Sequence, residues 1–137
     1  ASREELVRDS CRELLKMATQ RFEAADDATP AERLRRLVLG RIPTTPEFAI
    51  GTSIWLAYEA KSVDDPVVAE LVQQGRAGGV QEAAALLDEC GVADAPTVAL
   101  RLMALAEGLA IRVLVGGLDS RAAIDLLEDL IAETLPG

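Results

Sequence analysis

Histidine is absent from the 137 residues. That absence excludes Ser-His-Asp and Cys-His catalysis, a phosphohistidine relay and His-ligated zinc. The two cysteines, Cys11 and Cys90, stand far apart with no CxxC pair, so neither a disulfide framework nor a thiolate metal site is indicated. A reducing, cytoplasmic setting is expected, with no cofactor and no metal. Aromatic residues make up only 3% of the chain. The longest charge-free run, Phe48 to Tyr58, is too short to cross a bilayer. No signal peptide, lipidation motif or internal repeat is found, and no alternating run or Asn-Gly hairpin supports a strand.

What is present is acid and apolar bulk. The net charge is −9, with half the residues hydrophobic and 27% charged, which excludes a disordered tail. Residues 1–60 hold nine basic and ten acidic side chains (−1), and residues 61–137 hold five and thirteen (−8). Arg33, Arg35, Arg36 and Arg41 form the one basic group, assigned here to a single short helix. Duplex DNA needs phosphate neutralisation by clustered cations, so no DNA binding is expected from these residues alone. The chain opens at Ala1 rather than Met, which reads as a fragment.

The length suits one domain. A compact monomer of this mass has a folded surface of about 6,900 Å². The punctuation is helical: Pro30, Pro46, Pro66 and Pro96 each precede a periodic apolar run, and proline belongs at the first helical position. Thr29 with Glu32 reads as a capping box, and Thr45 and Asp65 as N-caps. The spacing predicts helices over about 2–26, 30–42, 46–61, 66–90, 96–115 and 120–135. The first carries a stripe of Val7, Cys11, Leu14, Ala18 and Phe22. The third is nearly charge-free and is expected to be buried on most sides. The fourth contains Gly75, Gly78 and Gly79, which mark a kink, a break or a close approach. The fifth is apolar almost all round, with Arg101 and Arg112 projecting together about 20° apart. With the sixth helix, capped at Asp119 or Ser120 and striped by Ile124, Leu127, Leu130 and Ile131, it should face a second subunit.

Phe48, Thr52, Trp55 and Glu59 follow i, i+4, i+7, i+11 and share one face of the third helix. Phe48, Trp55 and Tyr58 are candidates for the wall of a mostly apolar ligand cavity, with Met103 as a further wall residue. Ordinary core packing explains the same pattern. Glu59 could meet a cationic ligand, but its place near Lys61 and a turn favours a solvated carboxylate. Glu107, inside the apolar fifth helix, should be paired, with Arg101 or Arg112 as partner. The carboxylate pairs Asp26-Asp27, Asp64-Asp65 and Glu128-Asp129 read as solvated, which argues against an enzyme. The cysteines are expected to be inert.

The run Leu102-Met103-Ala104-Leu105-Ala106-Glu107-Gly108-Leu109-Ala110-Ile111, then Gly117-Leu118-Asp119 and an amphipathic ending, resembles the C-terminal helix pair of TetR-family transcriptional regulators. Ile54-Trp55-Leu56-Ala57-Tyr58-Glu59-Ala60, followed by Asp65-Pro66-Val67-Val68-Ala69-Glu70-Leu71, is similar to the subgroup typified by the bacterial choline–betaine regulator. Ser2-Arg3-Glu4-Glu5-Leu6-Val7 looks like the join after the recognition helix. The resemblance implies an all-α effector-binding and dimerisation domain over residues 1–137. Its last two helices would form an intersubunit four-helix bundle, and residues 1–26 would lead to an N-terminal helix-turn-helix that has no counterpart here. It also implies a homodimeric, ligand-sensing part of a repressor that meets duplex DNA only through that module, and it makes a quaternary amine a candidate effector. A helical dimerisation module without a ligand is the alternative.

Overall fold

The computed structural model describes residues 2–23 and 27–137, and the side chains of all of these except 18–23. Six helices follow one another: α1 (Arg3–Glu23), α2 (Pro30–Leu39), α3 (Pro46–Lys61), α4 (Pro66–Glu89), α5 (Ala95–Leu114) and α6 (Ser120–Thr134). No strand occurs among the described residues. Ala18 and Phe22 of the expected first stripe lie outside the described side chains, and the expected extension to residue 26 lies outside the described residues.

Local chemistry sets the helix starts. The Thr29 hydroxyl accepts from the Glu32 N–H, and the Glu32 carboxylate accepts from the Thr29 N–H, both at 3.2 Å. Ser2 and Glu5 make the same reciprocal pair at the start of α1, at 3.1 and 3.3 Å. Thr45 accepts from Phe48 N–H at 3.2 Å, and Asp65 accepts from Val67 and Val68 N–H at 3.0 and 3.3 Å. Each cap satisfies backbone donors that the first helical turn leaves open. Two ends require glycine: Gly91 (φ +82°) and Gly116 (φ +83°). At each, the following N–H returns to a carbonyl five residues back (Val92 to Leu87, Gly117 to Arg112), which closes the left-handed helix stop that a β-carbon would strain. α5 begins one residue before the expected Pro96, after Asp94 in the left-handed region at φ 53°.

α4 is the central element, packing most extensively on α5 and also against α1, α2 and α3. Its glycines neither break nor end it: the helix runs unbroken for 24 residues. The core joins Leu34, Leu37 and Val38 of α2 to Leu86 and Leu87 of α4, Leu102 and Met103 of α5, and Leu127 and Ile131 of α6.

Three expectations are corrected. α2 ends at Leu39, and residues 40–42 continue as a tighter turn, with Arg41 and Ile42 donating to the carbonyls of Val38 and Leu39. Arg41 thereby leaves the basic group to which the sequence assigned it. α3 has no fully buried residue, and Ile50 on its outer face is 62% exposed. It flanks α4 at the edge of the bundle, where only one face finds neighbours. Finally, Leu127 and Ile131 are buried inside their own chain, while Leu100 and Ile111 of α5, Val115 just after it and Leu126 of α6 are exposed. Leu100 and Ile111 fall within about 20° of one another around α5. The total exposed area is 8343 Å², well above the roughly 6,900 Å² of a compact monomer of this mass.

Candidate functional site

The inward face of α3 is the one that its spacing predicts: Phe48, Thr52, Trp55 and Glu59 are half-buried, whereas Ile50, Ser53, Ile54 and Ala57 are exposed. The Thr52 hydroxyl turns back to the Phe48 carbonyl at 3.0 Å, so it stays within its own helix. Trp55 and Tyr58 meet edge to face, with ring centroids 6.5 Å apart and planes at 79°. This geometry places the positive edge of one ring on the negative face of the other.

Gly75 explains how Trp55 reaches α4. A β-carbon there would stand 3.0 Å from Leu15 Cδ1 of α1 and 3.1 Å from Trp55 Cη2. The missing side chain therefore lets α1, α3 and α4 converge around the indole. Gly79, one turn further along α4, plays the same part for a different pair. A β-carbon there would lie 2.5 Å from Arg41 Nη2 and 3.3 Å from Met103 Cε. Gly78 faces open space. The two glycines of close approach thus line one stripe of α4, with Trp55 at one end and Met103 with Arg41 at the other.

Charges fill the space beside this stripe. Arg76 of α4 bridges two helices, reaching Glu59 of α3 at 2.9 Å and Glu107 of α5 at 2.7 Å. Glu59 is 19% exposed and Glu107 24%, so neither is a free surface carboxylate. The expectation of a solvated Glu59 is corrected: α4 crosses the end of α3 and brings Arg76 to it. Glu107 is paired as expected, but with Arg76. Arg101 and Arg112 project from the outer face of α5 and are exposed. Burial works against the Arg76 charge, yet the bonds to Glu59 and Glu107 outweigh it and raise its pKa.

Arg41 has no such relief. Burial lowers its pKa, opposed by Glu107 and Glu59 at longer range and reinforced by Arg76. Its Nε is fully buried without a hydrogen-bond acceptor.

The sequence-predicted residues are therefore brought together in part. Trp55 and Tyr58 touch, and Met103, 1% exposed, lies against the same stripe of α4 through Gly79. Phe48 stands seven residues before Trp55 on the same face, about 10 Å along the axis. Arg41 and Arg76 were missed. A signal for Arg76 existed, because it is the only basic residue between Lys61 and Arg101. Asp65, read as one of a solvated pair, is 6% exposed and binds Arg8 of α1 at 3.2 Å. Glu128 pairs with Arg35 of α2. Burial pushes both thiols up, against Arg12 at Cys11 and with Glu89 at Cys90, which fits inert cysteines.

Among the described residues, no cluster of three or more His, Cys, Asp or Glu could hold a metal ion, and no helix is long and apolar enough to cross a membrane. A groove of about 320 Å³ lies where Pro30, Cys90 and Leu135 converge, away from the aromatic pair.

The sequence profile of BetI-type transcriptional repressor C-terminal domains matches residues 30–136. No curated protein matches the sequence significantly. The chain is similar to a Saccharomonospora viridis protein, described as a transcriptional regulator and crystallised in complex with choline. The TM-score is 0.90 at 29% identity, over 98% of this chain and 75% of that one. A TetR-family transcriptional regulator from Rhodococcus sp. superposes with a TM-score of 0.75 at 21% identity, over 95% and 70% of the two chains. A transcriptional regulator from Rhodococcus sp. Rha1 gives 0.88 at 18%, over 97% and 73%. These last two share the fold.

Proposed function

This chain belongs to the BetI-type C-terminal domain family of TetR-type transcriptional regulators, and on that premise we propose that it is a homodimeric, ligand-sensing regulatory domain of a repressor. Its family is one of regulators, not enzymes. In this reading residues 1–137 form the effector-binding and dimerisation unit, and α1 leads to the DNA-binding module. The observation that carries the reading is the Trp55–Tyr58 edge pair seated on Gly75, where α1, α3 and α4 converge. An aromatic face beside a carboxylate suits an apolar or quaternary-ammonium head. The choline held by the Saccharomonospora viridis relative supports that ligand class.

The mechanism is a population shift. Ligand favours one placement of α4 against α1, and α1 sets the spacing of two DNA-binding modules across the dimer. Differential affinity for the two placements is required, since equal affinity shifts nothing. Dimerisation through α5 and α6 covers the exposed Leu100, Ile111, Val115 and Leu126, in keeping with the surplus of exposed area.

Trp55 is the only tryptophan, so its fluorescence reports directly on the site. Choline titrated into the protein should change Trp55 emission saturably, and Tyr58→Ala should weaken binding while thermal unfolding shows a folded protein. Phe48→Ala and Met103→Leu should have smaller effects. Unchanged binding in folded Trp55→Ala and Tyr58→Ala, followed by calorimetry, would move the site elsewhere.

A further inference from the structure

Arg41 is a half-buried arginine that the fold leaves without an ion-pair partner among the described residues. Its guanidinium lies on Gly79 beside the Met103 methyl, and no carboxylate stands within ion-pair distance of it among the described residues. The two carboxylates whose charge reaches it, Glu107 and Glu59, are both engaged by Arg76. An arginine cannot relieve burial by losing its proton at physiological pH, and in this half-buried side chain the Nε is enclosed without an acceptor. The fold also makes room for it. A β-carbon at Gly79 would stand 2.5 Å from Nη2, so the glycine is what lets the guanidinium lie against α4. Gly75 and Gly79 are one helical turn apart, about 6 Å along α4, with the indole against the first and the guanidinium against the second.

We propose that Arg41 is the anion-binding end of the effector site, and that the effector carries a carboxylate opposite its apolar or quaternary-ammonium head. The proposal rests on the ligand-sensing reading above and adds the second charge of the ligand. The head occupies the edge of the Trp55–Tyr58 pair, and the carboxylate accepts from the Arg41 guanidinium beside Gly79. Planar, two-pronged recognition of a carboxylate is what a guanidinium does better than an ammonium. Choline, which ends in a neutral hydroxyl, fills the first half of this site only.

The test compares γ-butyrobetaine with its methyl ester, which keeps the trimethylammonium head and removes the negative charge. Calorimetry on the wild-type protein should show the acid binding roughly tenfold or more tighter than the ester, the size of a charge-assisted hydrogen bond. The preference should fall to near unity in Arg41→Met and persist in reduced form in Arg41→Lys. Equal binding of acid and ester by the wild type overturns the proposal while leaving the ligand-sensing reading intact. So does an acid preference that survives in Arg41→Met. Because the wild-type comparison needs no variant, a misfolded Arg41→Met leaves the test standing. If choline, acid and ester all fail to bind, the ligand-sensing reading falls and the anion site falls with it.

Discussion

Arg8 of α1 donates to Asp65 at 3.2 Å, and Asp65 is the residue whose carboxylate caps α4. One carboxylate therefore ties the first helix to the start of the helix that carries Gly75, Arg76 and Gly79. Burial of Asp65 opposes its ionisation. The Arg8 bond and the Val68 and Val67 N–H groups outweigh that opposition and hold its pKa below the ordinary 3.8.

A depressed carboxylate pKa contributes stability that is present above 3.8 and lost as pH falls through the lower folded value. The α1–α4 tie should therefore be intact at neutral pH and weaken only in strong acid. Asp65→Ala removes it at every pH. Its melting temperature should drop further than that of the exposed neighbour variant Asp64→Ala, and hydrogen exchange in the first turns of α1 should accelerate. A melting temperature equal to that of Asp64→Ala would show that the tie contributes nothing.

Arg76→Met leaves Glu59 and Glu107 without their common cation. With Arg76 about half exposed, the loss should be modest, about 1–2 kcal/mol by denaturant unfolding. High salt should shrink the difference between wild type and variant, because screening already weakens the pair in the former. A salt-independent difference would point to lost packing of the arginine stem instead.

The glycines of α4 divide by what surrounds them. Gly78→Ala enters open space and should stabilise by about 0.5–1 kcal/mol through helix propensity alone. Gly75→Ala meets Leu15 and Trp55 and should realise less of that gain, while Gly79→Ala must push the Arg41 guanidinium and the Met103 methyl aside to realise it. Gly75→Ala should also shift Trp55 emission. Stabilisation of all three by the same amount would contradict the close approaches.

Leu127 and Leu126 are adjacent in sequence but differ in role. Leu127→Ala removes a fully buried side chain and should cost about 2–5 kcal/mol. Leu126→Arg, on the exposed face, should leave the protomer folded and shift sedimentation toward monomer, as should Ile111→Arg. A native chain that sediments as a monomer at micromolar concentration would remove the dimer reading.

Much of the fold was legible in local signals, because caps and prolines act within a turn of where they stand. Thr29, Thr45 and Asp65 marked three helix starts, and the i, i+4, i+7 face of α3 is the face turned inward. What remained illegible depends on packing between distant elements. Nothing near Glu59 in sequence announces Arg76, which reaches it only because α4 crosses α3. Arg41 looked like the end of a basic helix until the tight turn after Gly40 carried it inside. The spacing of the sixth helix already set Leu127 apart from Leu126. What it left open was whether its own chain or a second subunit covers Leu127, which the position of α2 and α5 decides.

The unbroken run of α4 turns it into a lever arm. Gly75 lies ten residues from Asp65, about 15 Å along the axis, so a tilt of about 5° driven at Gly75 swings the cap through roughly 1.3 Å. The Arg8–Asp65 bond at 3.2 Å is already near the long end of useful hydrogen-bond lengths, so a swing of that size parts it. In the ligand-sensing reading proposed above, a molecule wedged beside Trp55 would act on α1 at its first turns through α4 as well as at Leu15. No break interrupts α4 between Asp65 and Gly75, and that continuity is what transmits the tilt.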